Sequence, residues 1–170
     1  MDPVDRAALV EKRERLLGER RREEQLQGLQ DFRAALTAAG EPFEILYWGE
    51  EPVWSPRWIP SGYSRVPWEQ CPPDEEIWVG GDRSEIGRAF GRALLRYAAP
   101  DDILLLVFEG RLASFRMARA VAERHTEAVV GGGVTPFSPL WVTSPPRQWL
   151  IEVSLEAVRV GGAAEAEGAA

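Results

Sequence analysis

Cysteine, lysine and histidine are almost missing from this chain. Its 170 residues hold one cysteine, Cys71, one histidine, His125, and one lysine, Lys12. A single cysteine excludes an intrachain disulfide and a cysteine metal cluster. Cys71 precedes Pro72-Pro73 in an acidic stretch, whereas an activated thiolate needs positive surroundings, so a Cys71–His125 dyad is not expected. His125 falls at a predicted helix C-terminus, where the helix dipole favours a cation, and a histidine zinc site is not expected either. The near-total use of arginine as the basic residue points to a GC-rich coding composition rather than to chemistry. No apolar run approaches the roughly 20 residues that span a bilayer, and Met1-Asp-Pro-Val-Asp5 lacks the basic start of a secretory signal. The expectation is a cytoplasmic protein with no membrane contact, no cofactor and no metal.

Charge is unevenly spread. The net charge is −7. Residues 1–40 balance at eight acids and eight bases, residues 41–76 carry eight acids and two bases, and residues 77–125 carry six acids and eight arginines. An acidic chain repels nucleic-acid backbones unless it has a strong basic patch. Arg20-Arg-Arg22 has acids on both sides, and the stripe Arg88, Arg92, Arg96 has no interleaved aromatics, so the single-strand signature is absent. Electrostatic steering suits a basic protein partner instead.

The clearest pattern lies between Glu76 and Val130. Ile103–Phe108 is six apolar residues between turn signals, as in a strand buried on both faces of a parallel sheet. Before it, Ile86, Ala89, Phe90, Ala93, Leu94 and Tyr97 share one helical face from Asp82 to Tyr97. Asp82 and Glu85 have capping-box spacing, and Pro100 ends the segment. Glu76–Gly80 precedes it as a strand. A second helix is predicted over Leu112–Arg124, and Ala128-Val129-Val130 as a third strand. This order predicts a parallel β-α-β-α-β centre with right-handed crossovers.

Residues 1–40 are rich in helix formers and predict a long N-terminal helix or arm, either solvated and packed through its last three turns or pairing with a second copy as a homodimer; Leu9 and Leu16 lie one heptad apart, short of the sustained heptads of a coiled coil. Residues 41–160 form one predicted α/β domain. Phe43–Trp48 has strand composition. The segment 49–75 follows, a loop with prolines at 52, 56, 60, 67, 72 and 73 and tryptophans at 54, 58 and 68; one hairpin, 57–59 against 63–66, fits within it. Those tryptophans either staple the loop to the sheet or face outward as partner anchors. Leu140–Thr143 and Trp149–Leu155 read as an antiparallel hairpin, with Glu152, Ser154 and Glu156 on a solvated face. The tail 161–170 is Gly, Ala and Glu and is expected to be disordered. The fold class is thus a mixed α/β sheet with a parallel centre, an antiparallel C-terminal hairpin and a long N-terminal helix.

Two functions follow. The first is a non-catalytic protein-binding module, such as an acidic inhibitor or immunity-type antagonist, with Trp54, Trp58, Tyr63 and Trp68 as contacts. The second is a small enzyme or sensor for a phosphorylated metabolite or nucleotide at the carboxyl edge of parallel strands. Its residues are Gly80, Gly81, Asp82, Arg83 and Ser84, which lack a Walker ending, together with Glu109 and Arg111. Asp82 and Glu109 offer a carboxylate pair there; their simpler reading is a helix cap and an ion-paired Glu.

Overall fold

A computed structural model describes residues 3–52, 55–60, 65–135 and 138–162, with side chains from residue 9 onward. The helices are α1 (Pro3–Gln25), α2 (Gln30–Ala38), α3 (Arg83–Tyr97), α4 (Arg119–Arg124) and α5 (Thr126–Gly133). The strands are β1 (Glu44–Tyr47), β2 (Glu75–Trp78), β3 (Ile103–Phe108), β4 (Ala113–Ala118), β5 (Leu140–Thr143), β6 (Leu150–Val153) and β7 (Ala157–Gly161). They form one seven-stranded sheet in the order β1-β4-β3-β5-β6-β7-β2. Every neighbouring pair is antiparallel.

That topology overturns the predicted mixed sheet with a parallel centre. The tight turn after Phe108, with Gly110 at φ 72°, folds β4 directly back on β3, and so short a connection permits only antiparallel pairing. β4 lies inside the predicted helix 112–124. Leu112, Phe115 and Ala118 have helical spacing, but Ala113, Phe115 and Met117 are the buried set, at the strand period of two. Only Arg119–Arg124 of that span is helical. The predicted strand 128–130 lies within α5, where Val129 and Val130 are buried. The α3 crossover does exist: four antiparallel steps from β3 to β2 leave the two strands running in the same sense. β5, β6 and β7, which come later in the chain, fill the space between them.

The helices cover one face. α3 packs on β6 and β7, α4 on β3 and β4, and α2 on α5. The core beneath them holds Phe32, Phe90, Phe108, Phe115 and Trp149, all essentially solvent-free, each burial contributing on the order of 2–3 kcal/mol. Phe32, Phe108 and Phe115 meet at 4.8–6.2 Å between ring centroids. Glu41 pins α2 to the α4–α5 corner: Arg124 donates to both its oxygens at 2.9 and 2.7 Å, and His125 Nε2 lies 2.9 Å from Oε1. The Arg124 bond first, then His125, lowers the Glu41 pKa to about 2.

The predicted N-terminal helix is interrupted at Gly28, where φ is 81°. A side chain there would meet the Arg111 guanidinium at 2.5 Å, and Arg111 Nη1 also donates to the Gln27 carbonyl at 3.3 Å. α1 before this turn is exposed, with Leu9, Val10, Leu16 and Leu17 at 43–55%.

Gly131–Gly133, expected as a loop, is the last turn of α5. Gly133 is buried, and a Cβ there would enter the Phe108 ring. Gly131 is exposed and would meet only the Arg83 tip at 3.9 Å. Gly133→Ala is therefore expected to destabilise the fold by about 1–3 kcal/mol through overpacking. Gly131→Ala should be neutral or stabilising by up to about 1 kcal/mol, from helix propensity. Urea titration of the two variants checks the contrast.

Candidate functional site

The sheet face away from the helices carries one continuous row of side chains. Register places Leu46, Ser114, Val107, Trp141, Glu152, Arg159 and Glu76 opposite one another across all seven strands. Directly opposed residues in antiparallel pairs sit close enough to interact. The row is apolar on the β1 side and ionic on the β2 side.

Glu152 is its pivot. Predicted on a solvated face, it is 6% exposed, because the Pro/Trp loop covers it. Its Oε1 accepts from Trp68 Nε1 at 2.8 Å and from Arg159 Nη1 at 3.1 Å; Oε2 accepts from Trp141 Nε1 at 3.0 Å. A carboxylate taken out of water needs such donors on both oxygens. Arg159 also donates to Glu76 Oε1 at 2.5 Å. Burial alone would lower the Arg159 pKa, but hydrogen bonds to Glu76 and Glu152 raise it. Arg159 lies 5.7 Å from the Trp78 ring centroid, and Trp78 is 67% exposed.

Around these groups lies a groove of about 720 Å³, walled by Val66, Pro67, Trp68 and Pro73 and bounded by Glu76, Trp78 and Arg159. Its outer limit is β2, an edge strand. Tyr97 Oη donates to Glu75, and Arg96 Nη1 donates to the same carboxylate at 3.1 Å, so α3 braces the strand. The arginine stripe thus meets the acidic segment through Arg96. A second depression of about 950 Å³ lies over Ile103, Leu105 and the Asp102–Arg147 ion pair. It borders Pro52, and the neighbouring residues 53–54 lie outside the described set.

Of the predicted partner contacts, Trp54 and Tyr63 lie outside the described residues, as do residues 61–64 of the suggested hairpin. Trp58 and Trp68 are half-buried staples, with ring centroids 5.9 Å apart, and they pack against Val66, Trp141 and Leu150. Trp58 Nε1 donates to the Gln148 carbonyl at 2.6 Å. Of the tail expected to be disordered from residue 161, Gly161 instead ends β7 beneath these two rings, and residues 163–170 lie outside the described set.

The residues proposed for a phosphate site are placed as follows. Asp82 caps α3, accepting from the Ser84 and Glu85 amides at 2.8 and 3.0 Å, so its own carboxylate fills the anion position. The Glu85 side chain reaches the Gly80 amide at 3.4 Å; Gly81 is at φ 80°, and Arg83 lies beside Gly131. Glu109 takes Arg65 Nε at 2.6 Å while its Oε2 is buried without a partner, and Arg111 serves the Gly28 turn. The carboxyl ends of β2 and β3 share one sheet edge. Three strands separate them, so the Asp82 and Glu109 loops stand roughly 19 Å apart, four strand spacings. No crevice between adjacent parallel strands joins them.

Sequence reasoning missed Trp78, Glu152 and Arg159. The signal for Trp78 was Pro72-Pro73 followed by Asp74-Glu-Glu76, since proline and charge mark edge strands. Among the described residues no group of three or more His, Cys, Asp or Glu side chains is placed to hold a metal, and no helix is long and apolar enough to cross a membrane. Compared with known proteins, the chain matches no family model, no curated protein and no solved structure.

Removing Glu152 takes the shared acceptor from the Trp68 and Trp141 indole N–H groups and leaves Arg159 with Glu76 as its carboxylate partner. Glu152→Ala is expected to cost about 3–5 kcal/mol, read by chemical denaturation. Trp68→Phe, which deletes one donor, should cost about 1–2 kcal/mol.

Tyr97 gives a pH test. Burial, followed by the Glu75 hydrogen bond, raises its pKa to about 12 from 10.0. A raised folded-state pKa means its contribution is complete below about pH 10 and lost as pH climbs through 12. Thermal midpoints should fall across that window in the wild type and fall less steeply in Tyr97→Phe.

Proposed function

We propose that this chain is a non-catalytic protein-binding module whose contact surface is the groove beside Trp78. The observation that carries the reading is a large aromatic side chain, 67% exposed, held on a frame that cannot easily collapse. Arg159 sits against its ring, and Arg159 is fixed in turn by Glu76 and Glu152. Tryptophan and arginine dominate binding hot spots, tryptophan because a rigid ring buries much area for little lost freedom. Trp68 contributes the groove wall, while its indole N–H is committed to Glu152.

The carboxylates that chemistry would recruit are occupied structurally. Asp82 caps a helix, Glu109 pairs with Arg65, and Asp102 accepts from the Ala99 amide and from Arg147. Such commitments favour recognition over acid–base work. An inhibitor or immunity-type antagonist of another protein belongs to this class.

Affinity capture from the source organism tests the reading. A stoichiometric protein partner should be retained by the wild type and by Trp48→Ala, which alters another well-exposed tryptophan (74%). Trp78→Ala should weaken the complex by about 2 kcal/mol or more, roughly 30-fold. Equal capture by all three proteins would remove Trp78 from the contact surface.

A further inference from the structure

We propose that the partner docks by strand addition, pairing an extended basic segment with β2 as an eighth strand; this rests on the Trp78 groove being the contact surface. β2 is hydrogen-bonded to β7 on one side only. Alternate backbone N–H and C=O groups of such a strand point outward and are a template for another chain. Side chains set the specificity. Glu76 and Trp78 lie on the groove face of the new pairing, and Ile77 lies on the helix face among the partly buried core residues.

The other edge of the sheet is partly capped. The Tyr47 amide of β1 is taken by its own neighbour Glu50, at 2.9 Å, and the Trp48 amide by Gln25 and the Leu112 carbonyl. Among the described residues no side chain takes an amide of residues 75–78.

Charge selects the occupant. Residues 69–85 contain six acids and a single base, Arg83. Three arginines reach this region from elsewhere: Arg96 pairs with Glu75, Arg159 with Glu76 and the buried Glu152, and Arg65 lines the groove while paired with Glu109. The surplus is negative, which favours arginine or lysine on the incoming strand and leaves the Trp78 ring available to a second cation. The same charge disfavours a second copy of this chain. In a two-fold pairing of a four-residue strand, Glu75 and Glu76 of both copies would lie within a residue or two of each other, and facing like charges destabilise a ladder. Pairing β2 with β1 would bring Glu44 against the same carboxylates.

The test is a nitrogen-15 NMR titration of the full chain with a short peptide alternating Arg and Val. Two controls accompany it, an alternating Glu and Val peptide and the Arg peptide with every backbone nitrogen methylated. Two signals are read: the Trp78 indole N–H for groove occupancy, and hydrogen exchange of the β2 amides for strand pairing. The proposal expects the Arg peptide to move the indole signal and to slow exchange of the outward β2 amides about tenfold or more, with both effects absent for the Glu peptide and protection absent for the methylated one. An indole shift without amide protection would overturn strand addition while leaving the groove as a contact surface. Equal protection by the Glu peptide would overturn the basic class of partner. A spectrum unmoved by the Arg peptide would overturn the proposal as a whole, and the Trp78→Ala capture result then judges the groove by itself.

Discussion

Glu152 is the constraint on which the non-helical face depends. A carboxylate at the centre of a buried strand is costly unless donors replace the water it loses. Here two donors come from tryptophan rings and one from Arg159. Trp68 can reach Glu152 only if the loop carrying it lies down on the sheet, and Trp58 follows by packing on Trp68 and bonding to Gln148. A single buried acid therefore turns a proline-rich segment, without helix or strand among its described residues before β2, into a second covering layer. The apolar part of that layer is small, Val66, Trp141 and Leu150 with a few half-buried neighbours, so polar satisfaction carries a larger share here than in the helix-side core.

The same ionic chain leads outward. Glu152 fixes Arg159, Arg159 fixes Glu76, and Glu76 belongs to the terminal strand. On the other face Tyr97 and Arg96 hold Glu75. An edge strand of four residues would be prone to fraying if held by one ladder alone. Bracing from both faces keeps it extended, and that preorganisation lowers the entropy lost when something docks there.

Local order was legible in the sequence, and long-range pairing was not. The α3 face from Ile86 to Tyr97, its Asp82 cap, the six-residue β3 and the Leu140–Thr143 hairpin with β6 could all be read, because each is specified by neighbours within a few residues. β4 was lost because Leu112, Phe115 and Ala118 match a helical period as well as Ala113, Phe115 and Met117 match a strand; only the buried faces of β1 and β3 decide between them. Glu152 was misplaced for a related reason. Alternation correctly put it opposite Ile151 and Val153, but a pattern of period two says nothing about a cover supplied from residues 58–68. Trp78 is a different case: Pro72-Pro73 and Asp74-Glu-Glu76 do mark an edge strand, but the number and order of strands in the sheet, which put β2 at its end, are set by the distant β5, β6 and β7.

The largest error, the parallel centre, bears directly on function. β2, α3 and β3 do make a crossover between strands of one sense, and in a doubly wound sheet the ligand crevice would follow from it. The inference fails because β5, β6 and β7 occupy the space between those strands, and their pairing is set by residues at least thirty positions further along. Once they intervene, the loops after β2 and β3 are too far apart to converge on one small ligand, and Asp82, Glu109 and Arg111 each satisfy a local structural need. Antiparallel sheets commonly leave one face and both edges to be managed. In this chain helices cover one face, Glu152 and the tryptophans cover part of the other, and Glu50 takes the Tyr47 amide at the β1 edge. Among the described residues, β2 joins an edge backbone with no side chain on its amides to an exposed aromatic, Trp78, on the groove face.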